Sequence, residues 1–182
     1  MQRSSIPFVS LFDENIGRLL PKEENNNWCG GNGLMLSLGA DGKYYPCLRY
    51  MPSSMPEGVE PYVIGDLETG IGNKEEYKVR IEELVKITRS SQSTEECMNC
   101  PINMGCAWCS AHNYTVFGTP NKRATFICDM HKARVLANVY FWNRYYSLVG
   151  KDDVFELNLP FDKQQVIDKA EYDMLMDLQK RT

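Results

Sequence analysis

The chain has 182 residues and a formal net charge of −4, and 43% of its residues are hydrophobic. These values are ordinary for a globular protein, and the mild acidity argues against a nucleic-acid partner, because phosphate binding favours a basic surface. No apolar run is long enough for a membrane span, and residues 1–10 lack a signal-peptide pattern. We therefore expect a cytoplasmic protein with no membrane partner, whose cysteines stay reduced unless a metal binds them.

The first predicted elements are a loop and a β-hairpin. Residues 1–27 contain many turn formers and predict a linker segment. Residues 33–47 predict the hairpin, because leucines alternate with other residues and Asp41-Gly42 is typical of a two-residue turn. A short strand is predicted at residues 62–64. The alternating leucines are Leu34, Leu36 and Leu38.

Three helices are predicted in the rest of the chain. Residues 74–89 predict a helix capped by Asn73, since their apolar side chains form one stripe at helical spacing. Further helices are predicted at residues 129–148 and 163–179. Residues 95–128 show little periodicity but contain five of the seven cysteines. We therefore expect a metal, and not a hydrophobic core, to order that stretch.

Two Cys-x2-Cys pairs, Cys97 with Cys100 and Cys106 with Cys109, are separated by only five residues. Zinc sites built from such pairs usually place at least about a dozen residues between them. Two pairs this close do not easily converge on one tetrahedral ion. In iron–sulfur proteins with two clusters, the last cysteine of a close run binds the other cluster. The spacing therefore favours two iron–sulfur centres.

On this interpretation the seven cysteines divide unevenly between two [4Fe–4S] clusters. One cluster has three cysteine ligands and an open iron, and its ligands are Cys29, Cys47 and Cys109. The other cluster has four cysteine ligands, which are Cys97, Cys100, Cys106 and Cys128. Zinc stays the alternative metal, because it accepts the same thiolates.

The cysteine layout resembles the SPASM domain of radical SAM enzymes. That family has a cysteine, a spacer, Gly-x4-Cys, then Cys-x2-Cys-x5-Cys-x3-Cys and a final cysteine. Here Cys29 is followed by twelve residues, then Gly42, four residues and Cys47. The spacing Cys106-x2-Cys109 is one residue shorter than the family's. The resemblance covers about residues 28–130 and uses all seven cysteines.

The neighbouring residues are similar to a narrower group, the SPASM peptide maturases. Cys-Pro-Ile at 100–102 and Gly-Cys-Ala-Trp-Cys-Ser at 105–110 show this similarity. Asn-Lys-Arg-Ala-Thr at 121–125 and Met-His-Lys-Ala-Arg at 130–134 resemble maturases of peptides with Cys-x-x-x repeats. The resemblance implies electron transfer and peptide positioning during thioether crosslinking. It implies two partners, a cysteine-containing precursor peptide and a radical SAM catalytic barrel.

The chain contains no Cys-x3-Cys-x2-Cys run, which radical SAM enzymes need to bind S-adenosylmethionine. We therefore expect a C-terminal portion, a truncated product or a stand-alone relative that is not catalytic alone. Any role of S-adenosylmethionine would then depend on a separate catalytic domain. Two other classes stay open, a zinc-stabilised binding module and an independent ferredoxin-like electron carrier.

Several other side chains are candidates near the cysteines. His112 and His131 are possible metal ligands, although a loop histidine and a locally bonded histidine are the simpler interpretations. Trp108, Tyr114 and Tyr50 either shield a cluster or line a peptide groove.

The elements together predict a small α+β domain nucleated by metal, with a β-hairpin, cysteine-rich cluster loops and about three helices. The predicted segments are a linker at 1–27, an iron–sulfur domain at 28–148 and a helical extension at 149–182.

Overall fold

The computed structural model describes residues 12, 16, 25–27, 29–150, 169–170, 173 and 177. These residues form a four-stranded antiparallel sheet and five α-helices, which agrees with the predicted α+β class. The strands follow chain order in the sheet and are β1 Ser37–Leu38, β2 Lys43–Tyr45, β3 Gly65–Asp66 and β4 Gly70–Ile71. The helices are α1 Glu75–Val85, α2 Arg89–Gln92, α3 Glu95–Met98, α4 Ser110–Phe117 and α5 Cys128–Val149. None of the helices among these residues has the length and apolarity of a membrane span.

The predicted hairpin is present as β1 and β2, with Ser37 opposite Tyr45. Its loop has three residues instead of the predicted two, because Gly39 N–H bonds to Lys43 O across the end of the hairpin. Gly42 has φ +73°, a conformation that glycine adopts without a steric penalty. The Asp-Gly pair therefore predicted the position of the turn correctly. The loop is one residue longer than predicted, which changes its type but not its place.

The first strand of the hairpin is shorter than the alternating leucines predict, since β1 covers only Ser37–Leu38. The N–H groups of Leu34 and Met35 both bond to Gly30 O, so the chain turns there instead of extending. Leu34 is 86% exposed, and the next two leucines, Leu36 and Leu38, are also exposed. The predicted strand at 62–64 is displaced to β3, and the predicted residues are instead buried beside the sheet.

The described residues fall into two compact units, each with its own buried cluster. The first, here the hairpin unit, contains Pro21–Asn99 and Trp108–Thr125. The second, here the α5 unit, contains Met1–Leu20, Cys100–Ala107 and Phe126–Thr182. Most of residues 1–27 and 149–182 lie outside the described residues, so the predicted three-segment division stays a prediction.

The core of the hairpin unit explains why α1 forms. Tyr77 and Leu84 lie on the apolar stripe of α1 and are buried against the sheet residues. The helix ends at Val85, earlier than predicted, because Thr88 starts α2 with a capping box. Asn73 does not cap α1, and its amide donates to Thr69 O instead.

The α5 unit is organised by its long helix, which confirms the helix predicted at 129–148. Val135 is fully buried against Ile16 and Ile102. Gly150 ends the helix with φ 68°, the left-handed conformation typical of a helix C-cap. The helix predicted at 163–179 lies mostly outside the described residues, of which 169, 170, 173 and 177 are helical and exposed.

The expectation that metal alone orders residues 95–128 is wrong. The stretch contains α3 and α4, and α4 was not predicted. Ala111 on α4 is 1% exposed and belongs to the core of the hairpin unit. The helix escaped prediction because its buried residues are small or polar, so it shows no apolar stripe.

Candidate metal centre

Three segments that are distant in sequence contribute cysteines to one region of the hairpin unit. Cys29 lies in the turn before β1, and Cys47 follows β2 and precedes a 3-10 turn at Leu48–Tyr50. Cys109 immediately precedes α4. All three side chains are partly buried, and Cys47 and Cys109 pack against the same buried cluster. The three cysteines that the spacing assigned to one cluster thus lie in the same unit.

Gly31 lies against two of these sulfurs. A Cβ atom at this position would be 3.3 Å from Cys47 Sγ and 3.6 Å from Cys29 Sγ. The two sulfurs are therefore no further apart than the sum of those distances. Only glycine leaves this space open, so the second glycine of Cys-Gly-Gly has a steric role beside the thiols.

An asparagine network holds the Cys29 turn. Asn27 Oδ1 accepts from Cys29 N–H at 3.2 Å and from Asn32 Nδ2 at 3.0 Å. Asn32 N–H in turn donates to Cys29 O at 2.9 Å. These bonds fix the backbone on both sides of the cysteine. The sequence pattern indicates Asn27 only as a loop former.

Cys109 is positioned by the first turn of α4. Cys109 O accepts from Asn113 N–H at 2.9 Å, and Ser110 Oγ lies 3.6 Å from Cys29 Sγ. Asn113 is 1% exposed and anchors the helix, since its Oδ1 accepts from Ala124 N–H and its Nδ2 donates to Gln92 and Pro120.

The environment of Cys47 opposes ionisation of a free thiol. Burial raises the pKa of Cys47, and the neighbouring thiols of Cys109 and Cys29 raise it further. The backbone N–H groups of Arg49 and Tyr50 act in the opposite direction, because they approach the sulfur as donors. A bound cation would reverse this balance by favouring the deprotonated sulfur.

Tyr50 is fully buried beside this sulfur site, so it does not line an open groove. Its Oη has no hydrogen-bond acceptor among the described residues, and the nearby Ser110 hydroxyl acts to lower the pKa of Tyr50, as a hydrogen-bond donor does. Burial is the main cause that raises the pKa of Tyr50, and the thiols of Cys29 and Cys47 also raise it. Trp108 packs against the same core.

The four cysteines assigned to the other cluster lie in both units. Cys97 is on α3 in the hairpin unit, and its N–H donates to Thr94 Oγ1 at 3.3 Å. The remaining three belong to the α5 unit and are Cys100, Cys106 and Cys128. Cys100 packs against the buried cluster of that unit, and Cys128 is the first residue of α5.

His131 joins α5 to the loop between Cys100 and Cys106. Its side chain is 5% exposed, and its Nε2 lies 2.6 Å from Ile102 O, to which it donates. The bond spans 29 residues, so the expectation of a local or solvent contact is wrong. His112 lies on α4 and not in a loop. 

Within the described ranges, no three histidine, cysteine, aspartate or glutamate side chains are grouped so that they could hold a metal ion. The comparisons with known proteins add no family to this description, since no family model, curated protein or solved structure matches the chain. The geometry of the thiols and of their neighbours is therefore the basis for a functional proposal.

Proposed function

We propose that this chain binds two [4Fe–4S] clusters and serves as an auxiliary domain in radical-mediated peptide maturation. The observation that carries the proposal is that Cys29, Cys47 and Cys109 lie in the hairpin unit. Gly31 lies against the sulfurs of Cys29 and Cys47, and Cys47 and Cys109 pack on the same core. The three cysteines come from a turn, a strand end and a helix start, and the cysteine spacing had already assigned them to one cluster. Chance grouping of core thiols would not be expected to follow that assignment.

The residues around the three sulfurs fit an inorganic group better than a plain core. Because Gly31 has no Cβ atom, the space next to the sulfurs of Cys29 and Cys47 stays open. Tyr50 Oη is a buried donor without an acceptor, which native cores rarely leave unpaired. Thiolates are the soft ligands that iron–sulfur clusters require.

A bound cluster supplies one-electron transfer and, with three cysteine ligands, an iron atom with an open position. The chain's own contribution is to hold the thiolates and to limit water access. Tyr45 and Tyr50 are fully buried in the adjoining core, and low solvent access is one of the factors that set cluster potential.

The resemblance in the cysteine region suggests the partners. A cysteine-containing precursor peptide would provide a thiolate, which suits an iron position by softness. A separate radical SAM barrel would provide the S-adenosylmethionine chemistry, for which this chain has no cysteine motif. Both partners are proposals that follow from the family resemblance.

Anaerobic reconstitution with iron and sulfide tests the proposal. We expect about eight iron and eight sulfide per chain, because each [4Fe–4S] cluster contains four of each. The brown protein should also bleach when dithionite reduces it. A colourless protein that retains zinc and takes up no sulfide would contradict the proposal and support the zinc-stabilised module.

A further inference from the structure

Tyr50 is the buried tyrosine of the hairpin unit whose hydroxyl lacks an acceptor among the described residues. The other buried tyrosines of that core show what a satisfied hydroxyl looks like. Tyr45 Oη donates to Asp41 at 2.6 Å, and Tyr62 Oη donates to Glu83 at 2.6 Å. Leaving a buried hydroxyl unpaired costs free energy. The unpaired hydroxyl of Tyr50 therefore indicates an acceptor that the chain itself does not provide.

The backbone and ring contacts of Tyr50 fix where its hydroxyl lies. Tyr50 N–H donates to Cys47 O at 3.1 Å, which ties the residue to one of the thiol positions. Its ring packs against Tyr62 and Tyr114, with centroids 5.1 Å and 6.1 Å away. The packed ring has little freedom to turn its hydroxyl toward another acceptor.

The residues around the Tyr50 hydroxyl belong to the sulfur site. Ser110 lies near Tyr50 Oη, and Ser110 Oγ is 3.6 Å from Cys29 Sγ. Cys47 and Cys109 pack against the same buried cluster to which Tyr50 belongs. A donor without an acceptor therefore lies in the core that adjoins the sulfur site.

We propose that Tyr50 is a positioning residue whose Oη donates a hydrogen bond to a sulfur of the group held by Cys29, Cys47 and Cys109, and so raises its reduction potential. This inference rests on the proposed cluster at those cysteines. Reduction adds one negative charge to the group, and a hydrogen-bond donor stabilises the more negative state. Losing the donor therefore makes reduction harder.

Tyr50→Phe tests this inference, because it removes the hydroxyl and keeps the ring. The control is Tyr62→Phe, which removes a hydroxyl of the same core that donates to Glu83. The reconstituted full chain is titrated anaerobically with dithionite while the reduced clusters are followed by electron paramagnetic resonance. We expect Tyr50→Phe to lower one midpoint potential by about 59 mV, a tenfold change in a one-electron equilibrium. The other midpoint, and both midpoints of Tyr62→Phe, should stay unchanged.

A second measurement reads the hydrogen bond in the unmodified chain. Exchange into deuterium oxide should shift an Fe–S stretching band in the resonance Raman spectrum, and Tyr50→Phe should lose that part of the shift. Unchanged potentials in a fully loaded Tyr50→Phe protein would overturn this inference alone. Loss of iron in that variant would also overturn it, because the hydroxyl would then serve assembly. Failure of the unmodified chain to take up clusters would instead overturn the proposed function.

Discussion

A side chain at position 31 would contact two sulfurs of the candidate centre, so Gly31→Ala is a direct test of the space beside them. The new Cβ would be 3.3 Å from Cys47 Sγ, closer than ordinary van der Waals contact. We expect the metal-free protein to keep its stability within about 1 kcal/mol, since alanine also reduces the entropy of the unfolded chain. Iron after reconstitution should fall from about eight to about four per chain.

The neighbouring glycine provides a matched control for this substitution. A Cβ at Gly30 would meet the side chain of Met35, which is half-exposed and flexible enough to move away. Gly30→Ala should therefore keep the iron content of the unmodified chain. Equal iron in the two variants would show that the space at Gly31 has no part in binding the cluster.

The sequence indicated the thiols of this site but not the residues that shape it. The two close Cys-x2-Cys pairs are a local pattern, and dividing them between two centres assigned Cys29, Cys47 and Cys109 to one set before any fold was known. The roles of Gly31 and Tyr50 depend on which segments meet in space. Nothing in the local sequence distinguishes a glycine beside a sulfur from a glycine in an ordinary turn.

At the scale of elements, Asp66 links β3 to the start of α1. Its Oδ1 accepts from Thr69 N–H at 2.7 Å, and its Oδ2 accepts from Lys74 Nζ at 2.7 Å and Tyr77 Oη at 3.0 Å. The Lys74 hydrogen bond is the largest cause that holds the pKa of Asp66 below its ordinary value, and the Thr69 backbone bond is the next. Two elements are thus joined through one ionised carboxylate.

This link predicts a pH dependence of folding. A carboxyl whose pKa is lower in the folded state stabilises the protein fully above its unfolded pKa of about 3.9, and loses that effect as pH falls through the folded value. We therefore expect the melting temperature to fall on acidification below about pH 4. Asp66→Asn should lower the melting temperature at pH 7 and flatten this acid dependence, as followed by circular dichroism.

An exposed loop carboxylate serves as the control for Asp66. Glu57 lies in a loop, is exposed, and makes no hydrogen bond within the described ranges, so Glu57→Gln should leave the melting curve unchanged at pH 7. If Asp66→Asn also melts like the unmodified chain at pH 7, the junction does not contribute to stability.

The elements also show which patterns were informative. The long helix α5 and the hairpin were predicted because a sustained apolar face and an Asp-Gly turn are strong local signals. The helix α4 was missed because it is anchored by Asn113, a buried polar residue whose partners are far away in sequence. The alternating leucines predicted a strand face that is buried, but these side chains are exposed. Alternation in the sequence does not show whether another layer covers that face.

At the scale of the whole molecule, the cysteines are distributed over two units. The hairpin unit contains all three cysteines of the set that is proposed to leave an iron open. The α5 unit contains three of the four in the other set, and there His131 ties the loop between Cys100 and Cys106 to the helix that begins at Cys128. Cys97, the fourth member of that set, lies on α3 in the hairpin unit, so the units separate six of the seven cysteines by set.

This distribution predicts that the two clusters are lost separately. Cys47→Ala and Cys128→Ala should each retain about four iron per chain after anaerobic reconstitution, and the double variant should retain almost none. The two single variants should also leave different paramagnetic signals, because each retains the cluster that the other lacks. Cys97→Ala decides the ligand assignment, since it should match Cys128→Ala in both iron content and signal. A single substitution that removes all eight irons would contradict the division of the seven cysteines into two sets.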